Sequence, residues 1–425
     1  MVIQASIRRC FGNPIFYQQN ITTMPISVES PQADVSFEDT SVAFSSKSNF
    51  QLKKTYWLFS MMNQVWLVKL GTFFIKLSLL LRLPVKKLIK TTLFGQFCGG
   101  EDIKECDKTI QNLAKSGVGT ILDYSVEGED NERSFDKTTT EVLLTIEKAS
   151  QTDAVPFSVF KVTGVGSTPL MEKIQAGEPL SKEEQAAYER MQKRVDNLCQ
   201  KASELGVKIF VDAEESWIQN VIDQLAYKAM QKYNIRKPIV YNTFQMYRHD
   251  MLENLKQATR EAKAGGYCLG AKLVRGAYFE KERLRACESE YQDPIHATKE
   301  DTDRDFNKAI EFCLDNRDVI SFCLGTHNEY SCLYCVELMS KKNIPHNDPH
   351  VWFAQLLGMS DNISYNLANA GYNVAKYVPY GPVEAVMPYL FRRAEENKSI
   401  AGQSSREFLL IKREVERRHQ QKVIR

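Results

Sequence analysis

Several features that would assign this 425-residue chain to a broad class of protein are missing from its sequence. Its 55 basic and 53 acidic residues nearly balance, giving a net charge of +2, which argues against a nucleic-acid or polyanion binder. No apolar signal segment opens the chain, so secretion is not expected. Its ten cysteines lack the spacing of a disulfide framework, which predicts reduced thiols in an intracellular protein.

A long uninterrupted apolar run is also missing. Residues 56–83 are rich in apolar side chains, but Lys69, Lys76 and Arg82 interrupt them. A membrane-spanning helix needs about 20 apolar residues with few or no charges, so no span is predicted. We expect residues 51–117 to form a helical region packed on the main domain. A peripheral membrane contact through residues 56–90 is the alternative.

The N-terminal 50 residues are interpreted as a disordered leader or a targeting segment. Residues 1–28 contain Arg8 and Arg9 but no acidic residue, which is weakly typical of a transit peptide. Met24 is a second candidate start. At the other end, residues 412–425 are predicted to be a basic tail.

Between residues 118 and 411, short β-rich apolar runs alternate with longer amphipathic patterns. Eight strands and their helices over roughly 280 residues predict a (β/α)8 TIM-like barrel. A doubly wound sheet is the alternative, but its glycine-rich phosphate loop is not matched by Thr163–Ser167. The candidate strands are Gly119–Asp123, Phe157–Lys161, Lys208–Asp212, Ile239–Thr243, Leu269–Val274, Ile320–Thr326, Phe353–Leu357 and Asn373–Val378.

Polar residues stand where these strands end. Functional residues of such barrels lie at the carboxyl ends of the strands, so these side chains should share one mouth. Each alone is an ordinary turn residue, but together they predict a site. They are Asp123, Lys161, Asp212, Gln245, Arg275, His327 and Tyr377.

A helical run near the C-terminus, Tyr389–Asn397, contains two adjacent arginines. Tyr389 and Glu396 lie three or four residues from Arg392 and Arg393, so all four are neighbours on a helix. Two adjacent guanidinium groups form a fork that suits a small carboxylate. On this motif alone, a solvated basic patch is the alternative.

Four further segments carry polar or glycine residues at strand ends: Val211–Glu214, Lys272–Tyr278, Thr326–Glu329 and Tyr377–Pro382.

Taken in their order along the chain, these four segments and Tyr389–Asn397 resemble proline dehydrogenase, and the resemblance covers about residues 94–411. The resemblance implies a distorted (β/α)8 barrel with additional N-terminal helices and a non-covalently bound FAD. It implies oxidation of L-proline to 1-pyrroline-5-carboxylate, the first step of proline catabolism to glutamate. A membrane quinone would accept the electrons. Because the chain ends soon after the barrel, a separate pyrroline-5-carboxylate dehydrogenase is expected to take the product.

The resemblance also implies a compartment and a role for each site residue. The protein would act at the bacterial inner-membrane face, or in mitochondria if residues 1–28 are a transit peptide. Asp212 and Lys272 would be catalytic, although Lys272 and Arg275 stand in reverse order to many bacterial members, which weakens the role of Lys272. The substrate would contact Lys161, Leu273, Tyr377, Tyr389, Arg392, Arg393 and Glu396. FAD would contact Asp212, Gln245, Arg275, Gly276, Ala277, Tyr278, Thr326 and His327.

Four alternatives remain. Hydroxyproline dehydrogenase shares the fold, but Tyr377 suits a ring without a hydroxyl group. Lys161 could form a Schiff base, as in aldolases. A non-enzymatic interaction module is a third. A zinc site is the fourth, but its candidate ligands lack finger-like spacing, and no metal is predicted. Those ligands are Cys323, His327, Cys332 and Cys335.

Overall fold

Eight parallel strands form a closed barrel in the computed structural model, which describes residues 35–62, 64, 66, 70–71, 85–126, 130–396 and 406–423. The strands pair in chain order and β8 closes on β1, so the predicted (β/α)8 fold is confirmed. Their bounds differ from the predicted ones by at most two residues at either end. They are β1 Val118–Tyr124, β2 Phe157–Lys161, β3 Lys208–Asp212, β4 Val240–Gln245, β5 Leu269–Val274, β6 Ile320–Gly325, β7 Val351–Leu356 and β8 Val374–Tyr380.

Helices precede the barrel and follow its strands. Several begin at side-chain caps: Ser181 and Glu184, for example, form a reciprocal capping box at one of the longest. Before β1 lie α1 Thr40–Ala43, α2 Asn49–Met62, α3 Lys86–Ile89, α4 Gly95–Phe97 and α5 Ile103–Ala114. Between strands lie α6 Glu132–Ser150, α7 Thr168–Gln175, α8 Lys182–Leu205, α9 Ser216–Tyr233, α10 Met251–Gly265, α11 Phe279–Glu288, α12 Lys299–Asp315, α13 Glu329–Lys341 and α14 Asp361–Asn369. After β8 come α15 Met387–Glu396 and α16 Arg406–Val423.

Aromatic side chains fill the inside of the barrel. Phe157 stacks on Phe210 with ring centroids 4.4 Å apart, and Phe210 stacks on Tyr377 at 6.2 Å. Tyr241 meets both phenylalanines edge-on at 5.5 Å. This interior is therefore a packed core rather than a channel. Phe210 and Tyr377 form the upper part of this core, below the charged residues of the mouth.

The two ends of the described chain pack together. Arg418 of α16 donates to the carbonyl oxygens of Phe44 and Lys47, each at 2.8 Å. Thr40 donates to Glu414 at 2.9 Å, and Glu414 is completely buried. The sequence predicts domain boundaries at 50/51 and 411/412. In the structure these positions lie inside α2 and α16, so each helix continues across a predicted boundary.

Two further findings concern the cysteines and the apolar segment. Eight cysteines of the described residues carry free thiols. Cys332 and Cys335 are fully buried in α13 as part of the core. Within the described ranges, no helix combines the length and apolarity needed to cross a bilayer.

Candidate active site

Asp212 lies between two lysines at the carboxyl end of β3. Its Oδ2 atom is 3.1 Å from the Nζ atom of Lys161, which ends the neighbouring strand β2. Its Oδ1 atom accepts a hydrogen bond from Nζ of Lys272 on β5. The β2–β3 register places Lys161 directly beside Asp212. The structure thus brings three predicted site residues into contact across the mouth.

Tyr377 and Phe210 form the floor under these charges. Nζ of Lys272 donates to the Tyr377 hydroxyl at 2.7 Å and lies 4.8 Å from the centre of its ring. The same ammonium group lies 5.2 Å from the Phe210 ring centre. Lys272 is 4% exposed, so its charge is stabilised by Asp212 and by two aromatic faces rather than by water.

The ionisation of this cluster follows from its contacts. Burial would raise the pKa of Asp212, but the charges of Lys272 and Lys161 outweigh it and hold that pKa below its usual value. Burial would lower the pKa of Lys161, but Asp212 and other nearby acids raise it well above its usual value. Lys161 therefore stays protonated, which makes it a poor amine nucleophile and argues against a Schiff-base aldolase. Within the Lys161–Asp212–Lys272 cluster itself, two cations face one anion.

Glu214 supports the turn that carries Lys161, a role the sequence did not reveal. Its carboxylate accepts hydrogen bonds from the Thr163 backbone N–H at 3.0 Å and from the Thr163 hydroxyl at 2.5 Å. Its carbonyl oxygen accepts one from Gln245 at 2.6 Å, which fixes that predicted residue. Burial raises the pKa of Glu214 to about 7. The available signal was a second carboxylate two residues beyond Asp212.

Arg275 is held rigidly where β5 leaves the barrel. Its guanidinium donates to Asp303 at 2.7 Å, Thr326 at 2.7 Å and Ser331 at 2.9 Å. It also lies 4.3 Å from the centre of the Phe306 ring. The contact with Thr326 joins two residues predicted to bind FAD. Asp303 and Ser331 belong to helices, and nothing in the local sequence links them to Arg275.

The backbone after Arg275 is open to the mouth. Gly276 and Ala277 are exposed, and Tyr278 beside them is half-buried. Gly276 has φ of +136°, and a Cβ atom there would lie 2.5 Å from the Tyr247 ring. Only glycine fits this position, so the chain keeps a bare stretch of backbone that a ligand can approach closely. Exposed backbone beside a fixed guanidinium fits a large anionic cofactor.

His327 follows β6 and is exposed at the mouth. Its Nδ1 atom is 2.9 Å from the Ser360 hydroxyl. Desolvation within the mouth, followed by the charges of Lys376 and Arg393, lowers the pKa of His327. The ring is therefore neutral near pH 7. Because Arg393 acts on it electrostatically, α15 lies close to the carboxyl end of β6.

Helix α15 carries four of the predicted residues. Tyr389 is buried, and the guanidinium carbon of Arg393 lies 5.2 Å from its ring centre. Arg392 is exposed and Arg393 is half-buried. Glu396 ends the helix, and its side chain lies outside the described residues.

Leu273 is predicted to shape the substrate pocket, but its side chain does not face the barrel mouth. It is completely buried in the core between the strands and the surrounding helices. Successive residues of a strand point to opposite sides, and Lys272 occupies the inner side. The side chain of Leu273 therefore points away from the mouth, although its backbone lies beside Lys272.

Comparison with known proteins decides the family. The model of the family described as "Proline dehydrogenase" matches residues 106–406. The chain belongs to the proline dehydrogenase family. The predicted family and enzyme class are thereby confirmed.

Several proline dehydrogenases and one differently named protein are similar to the chain. "Proline dehydrogenase 1, mitochondrial" of Dictyostelium discoideum is 32% identical over 89% of this chain and 74% of that protein. Its Homo sapiens namesake is 41% identical over 56% of this chain, but the match covers only 40% of that protein. "Carbapenem antibiotics biosynthesis protein CarD" of Pectobacterium carotovorum is 35% identical over 76% of this chain and 83% of its own.

Solved structures support the fold. Proline utilization A from Bdellovibrio bacteriovorus, inactivated by N-propargylglycine, superposes with a TM-score of 0.66 at 19% identity. The match covers 86% of this chain and 37% of that longer protein. At this identity the similarity speaks for the barrel alone.

Proposed function

We propose that the chain oxidises L-proline to 1-pyrroline-5-carboxylate with FAD bound non-covalently at the carboxyl ends of the strands. The observation that carries the proposal is the Lys161–Asp212–Lys272 cluster above Tyr377, a positive site with an aromatic floor. Such a site suits a small carboxylate that carries an apolar ring, which describes proline. Family membership supports the same reaction.

Proline is small, so much of its binding energy must come from its carboxylate. Arg392, Arg393 and Lys161 would bind that group, while Tyr377 and Tyr389 would enclose the ring. Positive charge around the site also lowers the pKa of the substrate amine, which favours the neutral amine, whose lone pair lets the adjacent ring carbon release hydride. Fixing the carboxylate orients the ring carbon beside the nitrogen, and such orientation lowers the barrier to reaction.

The FAD would contact the β3 to β6 side of the mouth. Arg275 and Thr326 form one fixed pair there, and the exposed backbone of Gly276 and Ala277 lies next to them. When bound, FAD would supply the two-electron acceptor for the hydride. The remaining contacts are proposed for Asp212, Gln245, Tyr278 and His327.

The first experiment measures flavin and substrate together. The purified protein should show flavin absorbance, and anaerobic L-proline should bleach it, while trans-4-hydroxy-L-proline should act far more slowly. A purified protein without flavin absorbance would overturn the proposal. A flavin that neither L-proline nor trans-4-hydroxy-L-proline bleaches would overturn it as well. Faster bleaching by hydroxyproline would favour the hydroxyproline dehydrogenase alternative. The similarity to CarD makes this substrate comparison necessary, because family members differ in the pathway they are named for.

Beyond the site, we propose a membrane quinone as electron acceptor and a separate pyrroline-5-carboxylate dehydrogenase as the next enzyme. Relatives named as mitochondrial favour mitochondria over the bacterial inner-membrane face. Residues 1–28, which would have to act as the transit peptide, lie outside the described residues.

The outer face of α2 supports a membrane contact. Leu52, Leu58 and Phe59 are buried on the inner face, yet Phe50 and Trp57 on the outer face are 79% and 57% exposed. The helix has no acidic residue, and its lysines, Lys53 and Lys54, are exposed. Exposed aromatics beside lysines suit a bilayer with anionic headgroups. Farther along residues 56–90, Trp66, Leu70 and Leu88 are also exposed, and most of the other residues lie outside the described ranges.

Vesicle sedimentation tests this contact. The double change Phe50→Ser and Trp57→Ser should weaken binding to anionic vesicles about 10-fold or more, because two exposed apolar side chains can no longer enter the interface. Ile235→Ser, at a residue 55% exposed elsewhere, should change nothing. Equal binding by the double variant and the unchanged protein would contradict the proposal.

A further inference from the structure

The start of the C-terminal helix contacts both sides of the turn that carries His327. The guanidinium of Arg406 donates to Glu329 at 2.9 and 3.2 Å, and Glu329 is the first residue of α13, two positions after His327. The carboxylate of the next residue, Glu407, accepts a hydrogen bond from the Ser360 backbone N–H. The Ser360 hydroxyl in turn lies 2.9 Å from Nδ1 of His327.

Ser360 is held in a conformation that serine seldom adopts. Its φ is +49° and it is 6% exposed at the start of α14. A non-glycine residue in this left-handed region is strained and persists only where its surroundings impose it. Glu407 supplies one of the contacts that hold the backbone there. Without that contact, the serine hydroxyl would lose its fixed direction toward His327.

Other hydrogen bonds around this turn are made without residues of α16. Gln355 of β7 donates to the Thr326 carbonyl oxygen at 3.1 Å and accepts from the Ser364 hydroxyl at 2.8 Å. The completely buried Lys376 pairs with Asp361 at 2.9 Å and donates to the Met359 carbonyl oxygen at 2.6 Å. These contacts fix the backbone around the turn. The His327 ring, by contrast, meets the Ser360 hydroxyl, and the Ser360 N–H is bonded to Glu407.

We propose that Glu407 is a positioning residue that sets the orientation of the His327 ring in the mouth. The inference rests on the proposed function only in that His327 is expected to contact FAD. Glu407 stands just outside the residues matched by the family model, which end at 406. Residues beyond the barrel would thus determine the shape of the cofactor site.

The test follows His327 directly. Protein as purified is labelled with ¹⁵N-histidine, its six histidines giving few signals, and the His327 imidazole signal is identified by its loss in His327→Gln. Glu407→Ala should shift or broaden that signal and alter the flavin absorbance spectrum. It should lower kcat for proline about 10-fold with little change in KM, because a misdirected cofactor contact slows reaction more than substrate binding. Glu407→Gln, which keeps an oxygen acceptor for the Ser360 N–H, should restore most of these properties.

Controls separate positioning from folding. Glu416→Ala, on the same helix but partly exposed and paired with Lys412 at 3.9 Å, should leave the His327 signal and the flavin spectrum unchanged. An unshifted His327 signal in Glu407→Ala would overturn the inference, as would an equal shift of all histidine signals that Gln does not restore. If the protein carries no flavin, the proposed function fails, while the imidazole signal still decides the positioning role.

Discussion

Replacing Arg393 by Met is expected to raise the KM for L-proline about 100-fold while the flavin stays bound. Removing one partner of a hydrogen-bonded charge pair costs about 2 to 5 kcal/mol, and proline has only one carboxylate to bind. Arg393 is half-buried against Tyr389, so water replaces its charge poorly. Steady-state kinetics and flavin absorbance of the same preparation measure both parts of the expectation.

Related variants sharpen this test. Arg392→Met should also raise KM, and Arg393→Lys should fall between because lysine keeps the charge but loses the fork. Arg260→Met on α10 is the matched control, since Arg260 is exposed and contacts Glu253 at 2.8 Å away from the mouth. An unchanged KM in both Arg392→Met and Arg393→Met would show that these arginines do not bind the carboxylate.

Much of the architecture could be predicted because its causes are local. Each strand is a short apolar run between turn residues, and this pattern located all eight strands. A parallel barrel brings strand ends to one mouth, so Lys161 and Asp212 could be expected to meet, as their register now shows. The adjacency of Arg392 and Arg393 likewise follows from their positions in the sequence.

The contacts that hold the site rigid have causes distant in sequence. Arg275 depends on Asp303 and Ser331, which belong to two later helices. Lys376 is buried inside a strand, where a lysine is unexpected until Asp361 supplies its counter-charge. No periodicity in the sequence records such pairs, because each requires the tertiary fold that brings its members together. The docking of α16 is similar, since its basic residues suggested only a C-terminal tail.

Replacing Asp212 by Asn is expected to lower the free energy of unfolding by about 3 kcal/mol. Asparagine keeps the shape of the side chain but removes the charge that faces Lys272 and Lys161. Removing one partner of a buried ion pair costs about 3 to 5 kcal/mol, because the other charge remains without compensation. We expect a loss at the low end of this range because, of the two lysines, only Lys272 is deeply buried. The side chain of Lys161 is 42% exposed, so water compensates its charge and its pair adds little.

The pH dependence of this effect distinguishes electrostatics from altered packing. The folded pKa of Asp212 lies below its unfolded value, so the unfolded chain binds more protons in acid. Its contribution is complete above the unfolded pKa of about 3.9 and is lost as the pH falls through the lower folded pKa. The stability difference between the two proteins should therefore be constant near neutral pH and shrink in acid.

Urea unfolding at neutral and acidic pH measures this difference. Asp196→Asn is the matched control, because Asp196 pairs with Lys232 at 2.9 Å on the surface and should contribute less than about 1 kcal/mol. A loss in Asp212→Asn that persists unchanged in acid would assign the effect to packing. A loss that fades with the carboxylate would show that the barrel mouth is stabilised by the negative charge that faces Lys161 and Lys272.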